Sequence, residues 1–340
     1  MNNKKVELLS PAGNLEKLKI AIKYGADAVY AGVSHFSLRI RAGKEFTFET
    51  FKEGIDYAHA RGKKVYATIN GFPFNSQIEL LKKHIATMAA LEPDGFIVAA
   101  PGVVKLCREI APQIDIHLST QANVLNYLDA QVFWDMGVKR IVVAREISLK
   151  DVVEIKKHLP DMEIEIFVHG SMCFAYSGRC LVSAVQMGRV PNRGSCANDC
   201  RFEYTLYAAN EDHSTLFRLE EEPGVGTYIF NSKDMNLASH IKEILDSGAV
   251  DSLKIEGRTK SPYYAAVTAK AYRNAIDDYY DGKFEASKYQ RELYTTKNRG
   301  FTDAYLIHRP FEKTDSQNHD YALSKGSYEV TGLVTQDEEH

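Results

Sequence analysis

Apolar runs of four to six residues alternate along the chain with longer stretches in which apolar positions recur at helical spacing. The runs that predict strands fall at residues 6–9, 28–31, 64–69, 95–99, 114–118, 140–143, 163–168 and 252–255. The stretches that predict helices lie near 15–24, around 51–58, at 77–91, after the PGV sequence at 101–103, at 237–245 and from Ser261 onward, where Pro262 occupies a favoured first helical position. The pattern therefore predicts an α/β protein.

The spacing of the predicted strands indicates a closed barrel. Strand–helix units that repeat every 20 to 40 residues are typical of parallel strands joined by crossover helices. Seven such units and a late eighth predict a (β/α)8 barrel of the TIM type. An open Rossmann-type sheet is the alternative, but no G-x-G-x-x-G follows the first strand and the sequence contains no P-loop.

Roughly eighty residues separate the seventh predicted strand from the eighth, where about twenty would suffice. This insertion, at about 170–250, holds a cysteine-rich segment, a polar stretch with a hairpin pattern at 205–230, and a helix. An insertion after a strand lies at the C-terminal face of a barrel, where such enzymes build their sites. We therefore assign residues 1–285 to the barrel with its insertion. We expect residues 286–340 to form a C-terminal extension, in which SYEVTGLV at 327–334 is typical of the first strand of a small, truncated β-barrel domain.

Composition and charge limit the classes of function. Among 340 residues, 42 Lys and Arg face 45 Asp and Glu, so the net charge is −3 and any contact with nucleic acid needs a local basic patch. The N-terminus lacks the apolar stretch of a signal peptide, and no segment approaches the roughly 18 apolar residues that span a bilayer. We expect a cytoplasmic protein without a membrane partner, whose cysteines stay reduced and serve metal binding or catalysis.

Four of the five cysteines form a cluster in the insertion. Cys173, Cys180, Cys196 and Cys200 follow the spacing C-x6-C-x15-C-x3-C. Four thiolates suit tetrahedral zinc or an iron–sulfur cluster equally well, and the spacing matches neither zinc ribbons nor bacterial ferredoxins. Four unrelated core cysteines are the remaining alternative. The fifth, Cys107, lies on an apolar helix face and is predicted to be an ordinary core residue.

The cysteine segment is locally basic. Between residues 173 and 201 four arginines stand against one aspartate, a local charge of +3. These arginines could offset the negative charge of a cluster, hold a phosphate or carboxylate, or simply be solvated.

Polar side chains also follow the predicted strands, at the edge where barrels build their sites. Alternation along the last strand places Lys254 and Glu256 on the same side, so both can face the barrel axis. For each such residue the alternative is a structural role in an ion pair, a polar layer or a cap. The candidates for substrate binding are Arg39, Arg41, Asn70, Gln121, Arg145, Arg193 and Arg258, and those for proton transfer are Glu256, Lys254 and His169. The sequence contains no H-E-x-x-H, G-x-S-x-G or C-x3-C-x2-C motif, so it shows none of these common motifs of hydrolases or of radical-SAM enzymes.

Five segments together resemble peptidase family U32, the collagenase-like family: ELLSPAGNLEKLKIAIKYGADAVYAG, FVHGSMCFAYSGRC, NRGSCANDCR, NSKDM and SLKIEGRTKSPYYAA. The resemblance extends from about residue 6 to 285 and beyond. Within the family, the chain is similar to the branch whose members help to make 5-hydroxyuridine at the wobble position of tRNA. The resemblance implies a 4Fe–4S cluster on Cys173, Cys180, Cys196 and Cys200, and prephenate as the cosubstrate that supplies oxygen. Some members pair with a second copy or a paralogue, and longer members continue into a C-terminal β-barrel.

The leading hypothesis is therefore an iron–sulfur-dependent, oxygen-independent hydroxylase that acts on the anticodon loop of tRNA. Its anionic cosubstrate would be held by Arg39, Arg193 or Arg258, because a guanidinium group matches a carboxylate. The first alternative is a collagenase-like U32 peptidase, as the family name states. The second is a non-catalytic iron–sulfur partner protein.

Overall fold

The computed structural model describes residues 5–33, 36–37, 46–209, 215–219, 230–308, 316–318, 323–324 and 326. In chain order its strands are β1 (Glu7–Pro11), β2 (Ala28–Ala31), β3 (Lys64–Ile69), β4 (Gly95–Val98), β5 (Asp115–Leu118), β6 (Arg140–Val142), β7 (Glu163–Ser171), β8 (Tyr207–Ala209), β9 (Leu216–Arg218), β10 (Asp234–Asn236), β11 (Ser252–Ile255) and β12 (Phe301–Thr302). Its α-helices are α1 (Leu15–Lys23), α2 (Phe48–His59), α3 (Ile78–Ala89), α4 (Pro101–Ile110), α5 (Tyr127–Asp135), α6 (Leu149–His158), α7 (Val182–Met187), α8 (Ile241–Asp246), α9 (Pro262–Tyr280), α10 (Ala286–Leu293) and α11 (Ala304–Ile307).

Eight parallel strands close into a barrel. Strands β1 to β7 pair in sequence order, and β11 pairs parallel with both β7 and β1. Leu9 of β1 and Phe167 of β7 both align with Lys254 of β11, so the ring has no open edge. The closure confirms the predicted TIM-type barrel and excludes the open Rossmann-type sheet.

The helix boundaries follow from local chemistry. The Asn14 side chain accepts a hydrogen bond from the Lys17 amide at the start of α1, and Ser261 caps α9 in the same way ahead of Pro262. The main departure is β7, which continues to Ser171, three residues past the predicted end. Its extra residues pair antiparallel with β10, a partner that comes from the insertion and could not be read from periodicity.

The core lies between the barrel and the helices, and it includes Cys107 of α4. Burial raises the pKa of the Cys107 thiol to about 12, so the thiol stays protonated and packs as a small apolar group. The prediction that Cys107 is an ordinary core residue is confirmed.

The insertion and the C-terminal segment both pack on the barrel. The predicted hairpin is present as antiparallel β8 and β9, and β12 pairs with β10. Tyr289 and Leu293 of α10 join the same core cluster as the barrel, so the described chain shows no break in packing at residue 285. The predicted strand in SYEVTGLV, at 327–334, lies outside the described residues.

Buried charges fill the N-terminal end of the barrel. The guanidinium group of Arg140 binds Glu7 at 2.5 Å, Glu163 at 2.6 Å and Glu165 at 3.1 Å. Glu165 also binds the Lys254 ammonium at 2.6 Å, which links this layer to the centre of the barrel. Among the described residues no helix is both long and apolar enough to cross a bilayer.

Candidate active site with four cysteines

A cavity of about 470 Å³ opens at the C-terminal ends of the barrel strands. Its wall combines residues that follow the strands with residues of the cysteine-rich insertion. Of the residues predicted for the site, those that line it are Asn70, Gln121, Arg145, Cys173, Cys180, Cys196, Cys200, Lys254, Glu256 and Arg258. The structure thus brings the strand-end residues and all four thiols to one cavity.

Lys254 and Glu256 face the cavity from the same side of β11, as alternation predicts. The Lys254 ammonium lies 4.5 Å from the centre of the Tyr30 ring, and it forms an ion pair with Glu165. The nearest Glu256 carboxylate oxygen, Oε2, lies 3.7 Å from Arg145 Nη2 and 3.5 Å from the Tyr30 hydroxyl. The cavity floor therefore carries a carboxylate between a guanidinium group and a phenol.

Close backbone approach fixes the position of Glu256. Gly170 of β7 has φ +108°, and a Cβ atom built there would lie 2.4 Å from the Glu256 carbonyl oxygen. Only glycine accepts both that conformation and that contact. The Glu256 amide in turn donates to the His169 carbonyl at 2.8 Å, so β7 and the end of β11 are locked together.

Two further polar groups are held in the cavity wall. Arg258 Nη1 donates to Ser37 Oγ at 2.8 Å and Thr68 Oγ1 at 3.1 Å. Gln121 Oε1 accepts from Ser119 Oγ at 3.0 Å, whereas Gln121 Nε2 is buried without a hydrogen-bond partner among the described residues. A buried amide donor without a partner costs about 1–3 kcal/mol, so this group fits a site that a ligand acceptor completes.

The cysteine loops are held by backbone and side-chain contacts. The Val182 amide donates to Cys180 Sγ at 3.4 Å at the start of α7. The half-buried guanidinium group of Arg201 donates to the carbonyl oxygens of Met172 and Ser232, which ties the segment that carries Cys200 to the one that carries Cys173. The loops are therefore bound to each other and not only to the barrel.

The thiols influence one another electrostatically. Burial raises the pKa of Cys180, and Cys173 and Cys196 raise it further because thiolate charges repel. Burial also raises the pKa of Cys200, where the neighbouring Arg201 charge acts in the opposite direction. Deprotonating all four thiols together needs a compensating positive charge, which a bound metal supplies.

Zinc and a 4Fe–4S cluster place different demands on the spacing of four thiolates. Among the described residues no group of three or more His, Cys, Asp or Glu side chains could hold one metal ion. Zinc binds thiolates at about 2.3 Å and so needs four sulfur atoms nearly in mutual contact. A 4Fe–4S cluster takes one thiolate on each iron atom, so its ligands stand farther apart. The structure brings four thiols to one cavity wall, which is the donor set that both groups use.

Residues 13–316 match the model of peptidase family U32. The chain belongs to peptidase family U32. The U32 chain is 70% identical over 332 residues to "tRNA hydroxylation protein P" of Helicobacter pylori, covering 98% of this chain and 79% of that one. It is 41% identical to the protein of the same name from Escherichia coli, covering 94% and 78%. It is also 31% identical to "Collagenase" of Porphyromonas gingivalis, covering 90% and 75%.

Two of the predicted site residues that the structure of this U32 chain describes, His169 and Arg193, do not line the cavity. His169 is buried behind its wall, where its Nδ1 lies 3.4 Å from the Tyr272 hydroxyl, and burial lowers the pKa of its imidazole to about 3. Arg193 turns away, because its Nη2 donates to Gln77 Oε1 at 2.9 Å. Arg39 and Arg41 lie outside the described residues.

Several cavity residues of the U32 chain were not predicted. Tyr30, Lys260 and Arg299 line the wall, as does Asp199, whose two buried carboxylate oxygens have no hydrogen-bond partner among the described residues. Tyr30 lies in the last two residues of β2, so attention to the strand ends could have found it, whereas Lys260 follows the end of β11 by five residues. Asp199 and Arg299 depend on loop packing, for which the sequence carries no signal.

Proposed function

We propose that the chain is an iron–sulfur-dependent, oxygen-independent RNA hydroxylase that forms 5-hydroxyuridine at the wobble position of tRNA with prephenate as cosubstrate. The observation that carries the proposal is the shared cavity, whose wall combines the four thiols with charged side chains that include Glu256, Arg258 and Lys254. The names of the relatives from Helicobacter pylori and Escherichia coli support tRNA hydroxylation as the activity.

In this proposal Cys173, Cys180, Cys196 and Cys200 hold the cluster. When bound, it would supply electron transfer or Lewis-acid contact beside the substrate. The cluster would carry net negative charge, which the guanidinium group of Arg201 next to Cys200 partly offsets.

The guanidinium groups of the cavity bind the anionic cosubstrate. Arg258 is oriented by Ser37 and Thr68, and Arg145 is oriented by stacking at 3.7 Å on the Phe167 ring. Because both groups are largely withdrawn from water, a carboxylate placed between them gains more than it would at the surface. Lys254 adds a third positive charge on the same floor.

Glu256 is the proton acceptor in this proposal. Replacing the hydrogen at C5 of uracil by a hydroxyl group oxidises the base by two electrons. In this proposal the cosubstrate that donates the oxygen is reduced by the same two electrons, so the C5 hydrogen leaves as a proton, and Glu256 Oε2 lies at the cavity floor to accept it. The neighbouring Arg145 and Tyr30 orient the carboxylate. The base reaches the floor only after extrusion from its stack, which costs little in an anticodon loop.

The test is nucleoside mass spectrometry of tRNA from a strain that lacks the gene and carries a plasmid copy. The wild-type chain should restore 5-hydroxyuridine, whereas Glu256→Gln, Arg258→Gln and Cys180→Ala should not. Cys107→Ala is the matched control, because that cysteine lies in the core, and it should restore the modification.

Two results would decide against parts of the proposal. Full restoration by Glu256→Gln and Arg258→Gln would favour the non-catalytic iron–sulfur partner. No restoration by the wild-type chain would overturn the proposed substrate.

The second candidate is a peptidase, which the name of the Porphyromonas gingivalis relative favours. It predicts that purified protein cleaves gelatin and that a chelator stops the cleavage. If purified protein that hydroxylates tRNA leaves gelatin intact, the peptidase candidate is excluded.

A further inference from the structure

Aromatic rings stand half exposed at the mouth of the cavity. Phe174 and Phe202 both line the cavity, and each is 45% exposed. The Phe174 ring is supported from behind by Phe230, with 4.7 Å between ring centres. A ring that is supported on one side and open on the other offers a flat surface on which another planar group can stack.

A stacked guanidinium–aromatic pair lies beside the mouth. The Arg193 guanidinium carbon lies 4.0 Å from the centre of the Phe74 ring, and Phe74 is 58% exposed. The loop that carries Arg193 is fastened to the cavity side, because the Phe72 amide donates to the carbonyl of Asn192, a residue of the cavity wall. The hydrogen bond to Gln77 and the stacking on Phe74 therefore place Arg193 beside the mouth of the cavity.

The charge of this region differs from that of the whole chain. Residues 173–201 carry a formal charge of +3 before the negative charge of the proposed cluster is counted, whereas the complete chain carries −3. A partner of this surface should therefore be negatively charged as well as planar. A protein partner need not carry net negative charge, whereas single-stranded RNA presents both negatively charged phosphates and unstacked planar bases.

We propose that Phe74, Phe174, Phe202 and Arg193, here called the aromatic rim, dock a single-stranded RNA loop at the cavity mouth. Bases of the loop stack on the open rings, and Arg193 contacts a phosphate or stacks on a base. The rim rests on the proposed function, because it assumes an RNA substrate. It adds which surface receives the RNA and which part of the RNA is recognised.

The test is equilibrium binding of a fluorescent RNA hairpin with an anticodon-type loop, measured by anisotropy on the full chain. Stacking of one base on a ring is worth roughly 5- to 150-fold in affinity, so Phe174→Leu and Phe202→Leu should each weaken binding by a factor in that range. Phe202→Trp keeps a ring and should bind like the wild type. The matched control is Tyr24→Leu, a 42% exposed aromatic residue at the end of α1, on the opposite face of the barrel, which should leave binding unchanged.

The salt dependence separates stacking from charge. Arg193→Gln should reduce the slope of log affinity against log salt by about 0.7, the share of one phosphate contact to a single strand. A fully duplex RNA should bind wild type and ring variants equally, because its bases are not free to stack.

The outcomes distinguish the rim from the proposed function. A wild-type chain that binds no RNA would overturn both. Tight wild-type binding that Phe174→Leu and Phe202→Leu leave unchanged, with circular dichroism that shows folded variants, would overturn the rim alone. Equal loss of binding to loop and duplex RNA would overturn the recognition of a single strand.

Discussion

The buried pair between Glu165 and Lys254 allows the sharpest prediction about stability. The two side chains are almost completely buried, and their charged atoms lie 2.6 Å apart. Glu165 also accepts from Arg140 at 3.1 Å, but Arg140 has Glu7 and Glu163 as further partners. In the described structure Glu165 is the only carboxylate within salt-bridge distance of Lys254. Removing the charge of Glu165 should therefore leave Lys254, and not Arg140, without a counter-charge.

Glu165→Gln keeps the shape of the side chain and removes its charge. Removing one partner of a buried ion pair costs about 3–5 kcal/mol, and we expect about 3 kcal/mol because the amide still accepts one hydrogen bond. With an unfolding entropy of about 2.1 cal/mol/K per residue, a folded unit of about 300 residues should lose about 5 °C in Tm. The assay is urea unfolding followed by circular dichroism, with Tm measured alongside.

A second substitution tests the cause. Glu165→Gln combined with Lys254→Met removes both charges and should recover at least half of the lost stability. Glu163→Gln is the matched control, because Glu163 also binds Arg140 but its side chain is 19% exposed, and it should cost less than about 1.5 kcal/mol. A double variant as unstable as Glu165→Gln alone would refute the reasoning, because the cost would not then come from an unpaired ammonium.

Three further predictions concern single residues. Burial lowers the pKa of His169 to about 3 from an ordinary value near 6.5, so the unfolded chain takes up a proton below pH 6.5 that the folded chain refuses. His169 alone should lower stability by about 2 kcal/mol from pH 7 to pH 5, and the fall measured by urea unfolding should be smaller by that amount in a His169→Phe variant, where the contribution of the buried His117, whose pKa is also lowered, remains. Cys107→Ala should lower stability by about 1–2 kcal/mol and leave the iron content unchanged, whereas a loss of iron would contradict its core position. Gln121→Leu removes the amide donor in the cavity and should lower kcat/KM for hydroxylation about tenfold with unchanged RNA binding; an unchanged kcat/KM would show that no ligand uses the donor.

Periodicity predicted the barrel because each strand and helix is a local pattern. Strands β2 and β3 match their predicted bounds, and β11 was located although the insertion separates it from β7. Alternation within β11 sufficed to place Lys254 and Glu256 on one side. The strand ends meet at one edge of any such barrel, so the polar residues that follow them could be grouped without knowing the packing.

Side-chain direction within loops could not be predicted. Arg193 turns towards Phe74 and Gln77, both distant in sequence, and His169 lies behind the wall because β7 runs on to pair with β10. The free amide of Gln121 depends on the orientation of Ser119. Such contacts depend on tertiary neighbours and not on a repeating pattern.

The most direct test of the proposed cluster is the metal and sulfide content of protein purified without oxygen, measured together with its visible spectrum. If the four cysteines hold a 4Fe–4S cluster, the protein should contain about four irons and four sulfides per chain and show a broad visible absorbance, and both should be lost in Cys173→Ala and Cys196→Ala. One zinc per chain with no colour would contradict it, because the four cysteines would then have a structural role and the cavity would lack its proposed cluster.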